Sequence, residues 1–251
     1  MSADHNTFTK RLLQDAGISP GMRVLDLGCG TGEVSLLLAR LVEPFGEVVG
    51  VDRDATALAL AQQRAQEHYY SHLSFVLAQL DAVPFELGVF DAIVGRRVLM
   101  YLPKPAEIIR QLTTFLRPNG LMIFQESDST MVPARLKTLP LHDQVLGWMW
   151  QTVEHEGANI QIGFQLHAIL QAAGLSVEHL RAEPVIQGQN THYPLAFVIQ
   201  AMLPRIIQSG VATETEIDIA TLEQRLNAER PANVVYISDM SFGIWGRKTV
   251  E

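Results

Sequence analysis

Val24-Leu25-Asp26-Leu27-Gly28-Cys29-Gly30-Thr31-Gly32 decides how this 251-residue chain is read. The run 22–27 is short and apolar, and reads as a buried strand. Glycines at alternate positions break it, and residues 34–41 then follow helical spacing. Glycines between a strand and a helix let the backbone turn sharply and approach a ligand closely. A dinucleotide site spaces them G-x-G-x-x-G. Here the third glycine comes one residue early, and Glu33 stands in its place. Asp26, just ahead of the loop, would repel a diphosphate and favour an ammonium or a sulfonium. Asp52 ends the next apolar run, twenty residues past Gly32. A carboxylate at that distance accepts both ribose hydroxyls. The pattern selects a nucleoside without phosphates.

Outward from the loop, strand and helix alternate. Further strands are expected at 48–52, 73–77, 90–94 and 121–125, with helices at 55–67 and 105–116 between them. Near-continuous apolar strands separated by helices mark a parallel sheet covered on both faces. After residue 126 the rhythm changes. Residues 141–156 read as a helix with two apolar sides, Leu141, Val145, Trp148 and Thr152 on one, Leu146, Trp150 and Val153 on the other. Such a helix sits between two partners. A helix at 165–173, a strand at 176–186, an apolar helix at 195–207 broken at Pro204, and a helix opened by the capping box at Thr213 and running to about Glu229 come next. The chain closes on a strand within 234–247. One domain, 1–251, is expected, with its core at about 18–126, 161–186 and 231–251, and helical cap insertions at about 127–160 and 187–230.

The sequence carries 19 Lys and Arg against 27 Asp and Glu, a net charge of −8. That balance speaks against a nucleic-acid or anionic-membrane surface, which needs clustered cations. Cys29 is the single cysteine, so no disulfide framework forms. No run approaches the ~18 apolar residues of a membrane span, and the first residues lack a signal-peptide pattern. A cytoplasmic protein is expected. The histidines form no H-x-x-x-H or H-x-H pair, and no metal is expected.

The segment 24–32 resembles motif I of the class I S-adenosylmethionine-dependent methyltransferases, and Val49-Gly50-Val51-Asp52 is similar to their second motif. Ala78-Gln79-Leu80-Asp81-Ala82-Val83-Pro84-Phe85 stands where the family has Gly-Asp-Ala-x-x-Leu-Pro-Phe. The family acid that faces the adenine amino group falls on Gln79, a departure, with Asp81 as competitor. Phe90-Asp91-Ala92-Ile93-Val94 and Leu116-Arg117-Pro118-Asn119-Gly120 match the fourth- and fifth-strand signatures. The resemblance covers about residues 18–126. It implies an α/β Rossmann-like fold, a seven-stranded, mostly parallel sheet ordered 3-2-1-4-5-7-6 with strand 7 antiparallel. It implies S-adenosylmethionine as cofactor, S-adenosylhomocysteine as product, and Asp26, Gly28, Cys29, Gly30, Thr31, Gly32, Asp52, Arg53, Gln79, Leu80 and Arg96 as cofactor-binding residues. Position 96 is also where many members place the residue nearest the transferred methyl.

The expected reaction is in-line methyl transfer to a small aromatic or hydrophobic acceptor. Arg96, Arg97, Tyr101, Trp148, Trp150 and Tyr193 are the candidate acceptor contacts, with Phe164, Phe197 and Met202 adding apolar content to the insertions. A base is needed only if the nucleophile must lose a proton; His142, His155, His192 and Tyr101 are the candidates. Cys29 reads as a small packed residue rather than a nucleophile. A methyltransferase for a protein or tRNA and a non-catalytic S-adenosylmethionine-binding regulatory module are the rival readings. A monomer or homodimer is expected.

Overall fold

A computed structural model of the protein describes residues 3–130, 137–188, 194–230 and 235–249. Seven strands, β1 (Arg23–Leu27), β2 (Glu47–Asp52), β3 (Leu73–Leu77), β4 (Phe90–Arg96), β5 (Leu116–Asp128), β6 (Leu175–Gln187) and β7 (Tyr236–Lys248), form one sheet ordered β3-β2-β1-β4-β5-β7-β6. β7 runs antiparallel to both its neighbours, and β1 to β5 are parallel. The expected architecture is the one observed.

The helices among the described residues are α1 (Ala3–Asp15), α2 (Glu33–Val42), α3 (Ala55–Glu67), α4 (Pro105–Leu112), α5 (Pro140–His155), α6 (Ile162–Ala172), α7 (Leu195–Gln208), α8 (Glu214–Ile217) and α9 (Ile219–Glu229). Strand alternation divides the core in two. Leu25, Val49, Ile93, Met122 and Phe124 face α4 and α6. Val24, Val48, Ala92, Val94 and Ile123 face α1 and α2.

α5, α7 and α9 lie within 127–160 and 187–230 and pack on one another, a three-helix layer termed the cap. Glu229 at the end of α9 accepts the Leu141 and His142 amides at the start of α5, at 2.7 and 3.0 Å. A carboxylate at a helix N-terminus satisfies unpaired N–H groups and complements the helix dipole. The same carboxylate holds His142 Nδ1 at 2.7 Å.

Two local expectations differ. Pro204 does not break α7, which runs on to Gln208. The helix opened by the Thr213 capping box ends after one turn, because Asp218 takes a left-handed φ of 42°. α9 restarts at once, with Ile217 and Leu222 both buried.

Candidate functional site

β1, β2 and β4 end on one edge of the sheet, where the strand order reverses between β1 and β4. Ligands of open α/β sheets bind beyond the strand C-termini at such a switch point. The glycine loop leaves β1 there. Gly28, Gly30 and Gly32 have φ of 61°, 51° and 82°, conformations that favour glycine. Three amides of the loop are bonded to β2 or to the loop itself. Cys29 N donates to Val51 O, Gly30 N to Asp52 Oδ2 at 2.8 Å, and Gly32 N to Cys29 O. A phosphate cradle needs such amides pointed at the ligand, and these three are already bonded within the protein.

A cavity beside the loop is lined by Asp26, Gly28, Cys29, Gly30, Thr31, Glu33, Arg96 and Tyr101, among others. Asp26 is buried and accepts from Ser35 Oγ at 2.5 Å. Burial pushes its carboxyl up to about 7, against the pull of that hydrogen bond and of Arg96. Thr31 is tied to α3, since Arg64 donates to its carbonyl and hydroxyl at 3.1 and 3.0 Å. Burial pushes the Cys29 thiol far up, so its thiolate is strongly disfavoured. Asp52 Oδ1 accepts from Asp54 N at 2.9 Å, which fixes the carboxylate against the loop. Arg53 and Gln79 are exposed and Leu80 half-buried. Gln79 and Leu80 lie just past β3. Asp81 is exposed beside them.

Arg96 lines the loop cavity, and its guanidinium pairs with Glu33 at 2.6 Å. It also donates to Thr9 Oγ1 of α1 at 3.4 Å. It does not line the second chamber beside this cavity, whereas Arg97 lines both. Arg97 takes a φ of 54°. A non-glycine residue held left-handed stores strain, a feature that clusters at functional sites. Arg97 N donates to Gln125 O at 2.8 Å. The turn after it is held by the fully buried Glu126, whose Oε1 accepts the Val98 and Leu99 amides at 2.9 and 2.8 Å. Burial pushes the Glu126 carboxyl up to about 7 as well.

A second chamber opens under the cap. Its walls include Met100, Met149, Trp150, Met202, Arg205 and Asp239. Arg97 and Tyr101 line both this chamber and the loop cavity, so the two are neighbours. Trp150, Leu146 and Val153 face the chamber from one side of α5. Trp148 packs in the core on the other side. Trp148 therefore does not line the chamber. Phe164 and Phe197 are exposed, and neither lines the chamber.

Of the candidate bases, His142 is buried in its contact with Glu229, outside the chamber. His155 is exposed at the end of α5. Tyr101 lines the chamber, and burial raises its phenol, which disfavours the basic form. His192 and Tyr193 lie outside the described residues. Sequence reasoning missed Arg205, Ser127, Ser238 and Asp239. The last had a readable signal, the one acid in the closing strand.

Residues 18–194 match the methyltransferase domain family. The chain belongs to this family, of the class I S-adenosylmethionine-dependent type, and its cofactor is S-adenosylmethionine. A 2-phytyl-1,4-naphthoquinone methyltransferase of Trichormus variabilis is 38% identical over 120 residues, 46% of this chain and 51% of that protein. A demethylmenaquinone methyltransferase of Lactococcus lactis is 26% identical over 138 residues, 55% of each. The chain thus spans about half the length of the curated relatives it matches. A geranyl diphosphate C-methyltransferase from Streptomyces coelicolor, solved with Mg2+, geranyl diphosphate and S-adenosylhomocysteine, shares the fold. Its TM-score is 0.60 at 16% identity, over 98% of this chain and 79% of that one.

Two predictions arise from the loop. Asp52→Ala removes both an anchor of the loop and the acid that the sequence expects to hold the ribose. Calorimetry on the folded variant should show S-adenosylmethionine binding weaker by about 1.5–3 kcal/mol, roughly 10- to 150-fold. Unchanged affinity would remove Asp52 from the site. Asp26 gives the second. Below pH 7 its carboxyl is protonated in the free protein and offers no charge to an ammonium. S-adenosylmethionine affinity should fall as pH drops through about 7, approaching tenfold per pH unit. Asp26→Asn should bind more weakly at pH 8 and lose this dependence. A flat wild-type profile from pH 5.5 to 8 would show that Asp26 carries no such contact.

Proposed function

We propose that this domain transfers the methyl group of S-adenosylmethionine to a small ring acceptor of quinone type with an apolar substituent. The carrying observation is the chamber under the cap. Trp150, three methionines and the aliphatic residues Leu146, Val153 and Val198 supply a flat aromatic surface and adaptable apolar walls. Arg97, Arg205, Tyr101 and Asp239 supply a few polar groups that fix a ring's oxygens. The quinone acceptors named for two relatives agree with that lining. Methyl transfer proceeds by in-line displacement, and the protein contributes approach geometry and exclusion of water. Arg97 and Tyr101, shared by both cavities, would set the angle between nucleophile and methyl carbon.

The test is S-adenosylhomocysteine release with a short-chain naphthohydroquinone, its oxidised quinone, and a protein or tRNA extract as competing acceptors. Turnover is expected with the hydroquinone. Turnover only with a macromolecule would overturn the reading, as would tight cofactor binding with no transfer.

A further inference from the structure

β7 contains one irregularity, and it lies at the chamber. Along β6, Val185 pairs with Asp239 and the next residue, Ile186, pairs with Ile237. Ser238 is therefore an extra residue, a β-bulge. Bulges re-aim side chains, often beside active sites. In a regular strand Ser238 and Asp239 would face opposite sides of the sheet. Here both line the chamber.

Asp239 also lies beyond the last β5 partner, since the β5–β7 ladder ends at Asp128 and Met240. Its Oδ1 accepts the Met240 amide at 2.7 Å, and Ser127 hydrogen-bonds its side chain. Among the described residues, Asp239 is the one carboxyl that lines the chamber, and none of the described histidines lines it. Nearby acids are otherwise engaged. Asp128 Oδ1 accepts from Thr130 and its Oδ2 from Gly163 N at 3.0 Å. Glu126 is buried behind the Val98–Leu99 turn. Asp143 opens onto the side recess that Asp239 shares with Trp150. The cationic groups facing the chamber are Arg97 and Arg205, and Arg205 is paired with Glu156 at 2.7 Å.

We infer that Asp239 is the proton acceptor for a ring hydroxyl of the acceptor, which is therefore methylated in its reduced, phenolic form. This rests on the ring-acceptor reading above. The hydroxyl gives its proton to a carboxylate oxygen of Asp239. The nucleophile, that oxygen or a ring carbon conjugated to it, forms a bond to the methyl carbon. The sulfur–methyl bond breaks and its electron pair stays on sulfur. Where carbon attacks, the ring proton leaves and the oxygen regains one, so a single proton is released either way. No oxidant or reductant enters the step. Burial holds the Asp239 carboxyl at about 7, assisted by Asp128 and opposed by Ser127, Met240 and Arg97. A base is most effective near the working pH.

The experiment compares wild type with Asp239→Asn on the hydroquinone at saturating cofactor. The variant's kcat should fall at least ~100-fold at pH 7, with the S-adenosylmethionine Kd within about twofold. The wild-type kcat should lose activity below pH 7, and the variant should instead recover as pH approaches the pKa of the acceptor hydroxyl. A second readout needs no turnover: infrared difference spectra of the two free proteins should show a carboxyl titrating near pH 7. A variant kcat within threefold of wild type, or an Asp239 carboxyl fully ionised at pH 5, would overturn the inference and leave the ring-acceptor reading standing. Wild-type protein that binds cofactor but methylates no hydroquinone would overturn both.

Discussion

A Gly30→Val protein is expected to fold and to lose S-adenosylmethionine binding by more than ~100-fold, about 2.7 kcal/mol. The three loop glycines differ in what a side chain would meet. At Gly28 an added Cβ would lie 2.8 Å from Val98 Cγ2. At Gly32 it would lie 3.0 Å from Ala61 Cβ, where α3 packs close. At Gly30 it meets nothing within 4 Å. That space belongs to the loop cavity, so a side chain there competes with the ligand and not with the core. The left-handed φ of 51° costs a β-branched residue about 1–2 kcal/mol. A domain with about 5–15 kcal/mol of stability tolerates that loss. Thermal unfolding should show a cooperative transition at lowered Tm, and calorimetry no measurable cofactor heat. Wild-type affinity in the folded variant would place the ligand elsewhere. Gly28→Val should lower Tm further than Gly30→Val, because its side chain would meet the buried Val98 as well as adopt a left-handed φ.

The cofactor half of the molecule was legible because its chemistry is local in sequence. The glycine loop, Asp26 and Asp52 lie within 27 residues, and each sits where a strand ends. Strand order followed from the family likeness, and apolar runs marked most of the elements. The acceptor half was less legible because it is assembled from distant segments. The chamber combines residues of the β4–α4 turn, α5, α7 and the bulge of β7. Nothing in the spacing of Arg205 or Asp239 announces that they meet. A bulge is a register event between two strands, and a single strand's pattern does not contain it. Arg96 and Arg97 show the same limit. Adjacent arginines read alike, and only the left-handed backbone at Arg97 separates the one paired with Glu33 from the one shared by both cavities. His142 is a related case: it meets its partner Glu229 across 87 residues, a pairing no local pattern announces.

The tryptophans of α5 test how the cap is built. Two residues apart on a helix, they cannot share a face. Trp148 is 6% exposed and belongs to the main core, on the same side as Val145 and Thr152. The Thr152 hydroxyl donates to the Trp148 carbonyl at 2.7 Å. Trp150 is half-buried and walls the chamber. Truncation to alanine therefore has two separable outcomes. Trp148→Ala leaves a large cavity between the cap and the sheet and should cost about 3–5 kcal/mol of stability in denaturant titrations. Acceptor KM of the fraction that remains folded should change little. Trp150→Ala removes aromatic surface offered to the acceptor ring. It should cost less than ~1 kcal/mol of stability but about 1–2 kcal/mol of acceptor binding, a rise in KM of roughly 5- to 30-fold with cofactor affinity unchanged. The contrast is what matters, since both variants delete the same side chain from one helix. If Trp148→Ala raised KM while Trp150→Ala unfolded the protein, α5 would be turned the other way and the chamber would not be the acceptor site. If Trp150→Ala left KM unchanged, the acceptor would bind without that wall, and Arg97 and Tyr101 would have to orient it from the cofactor side alone.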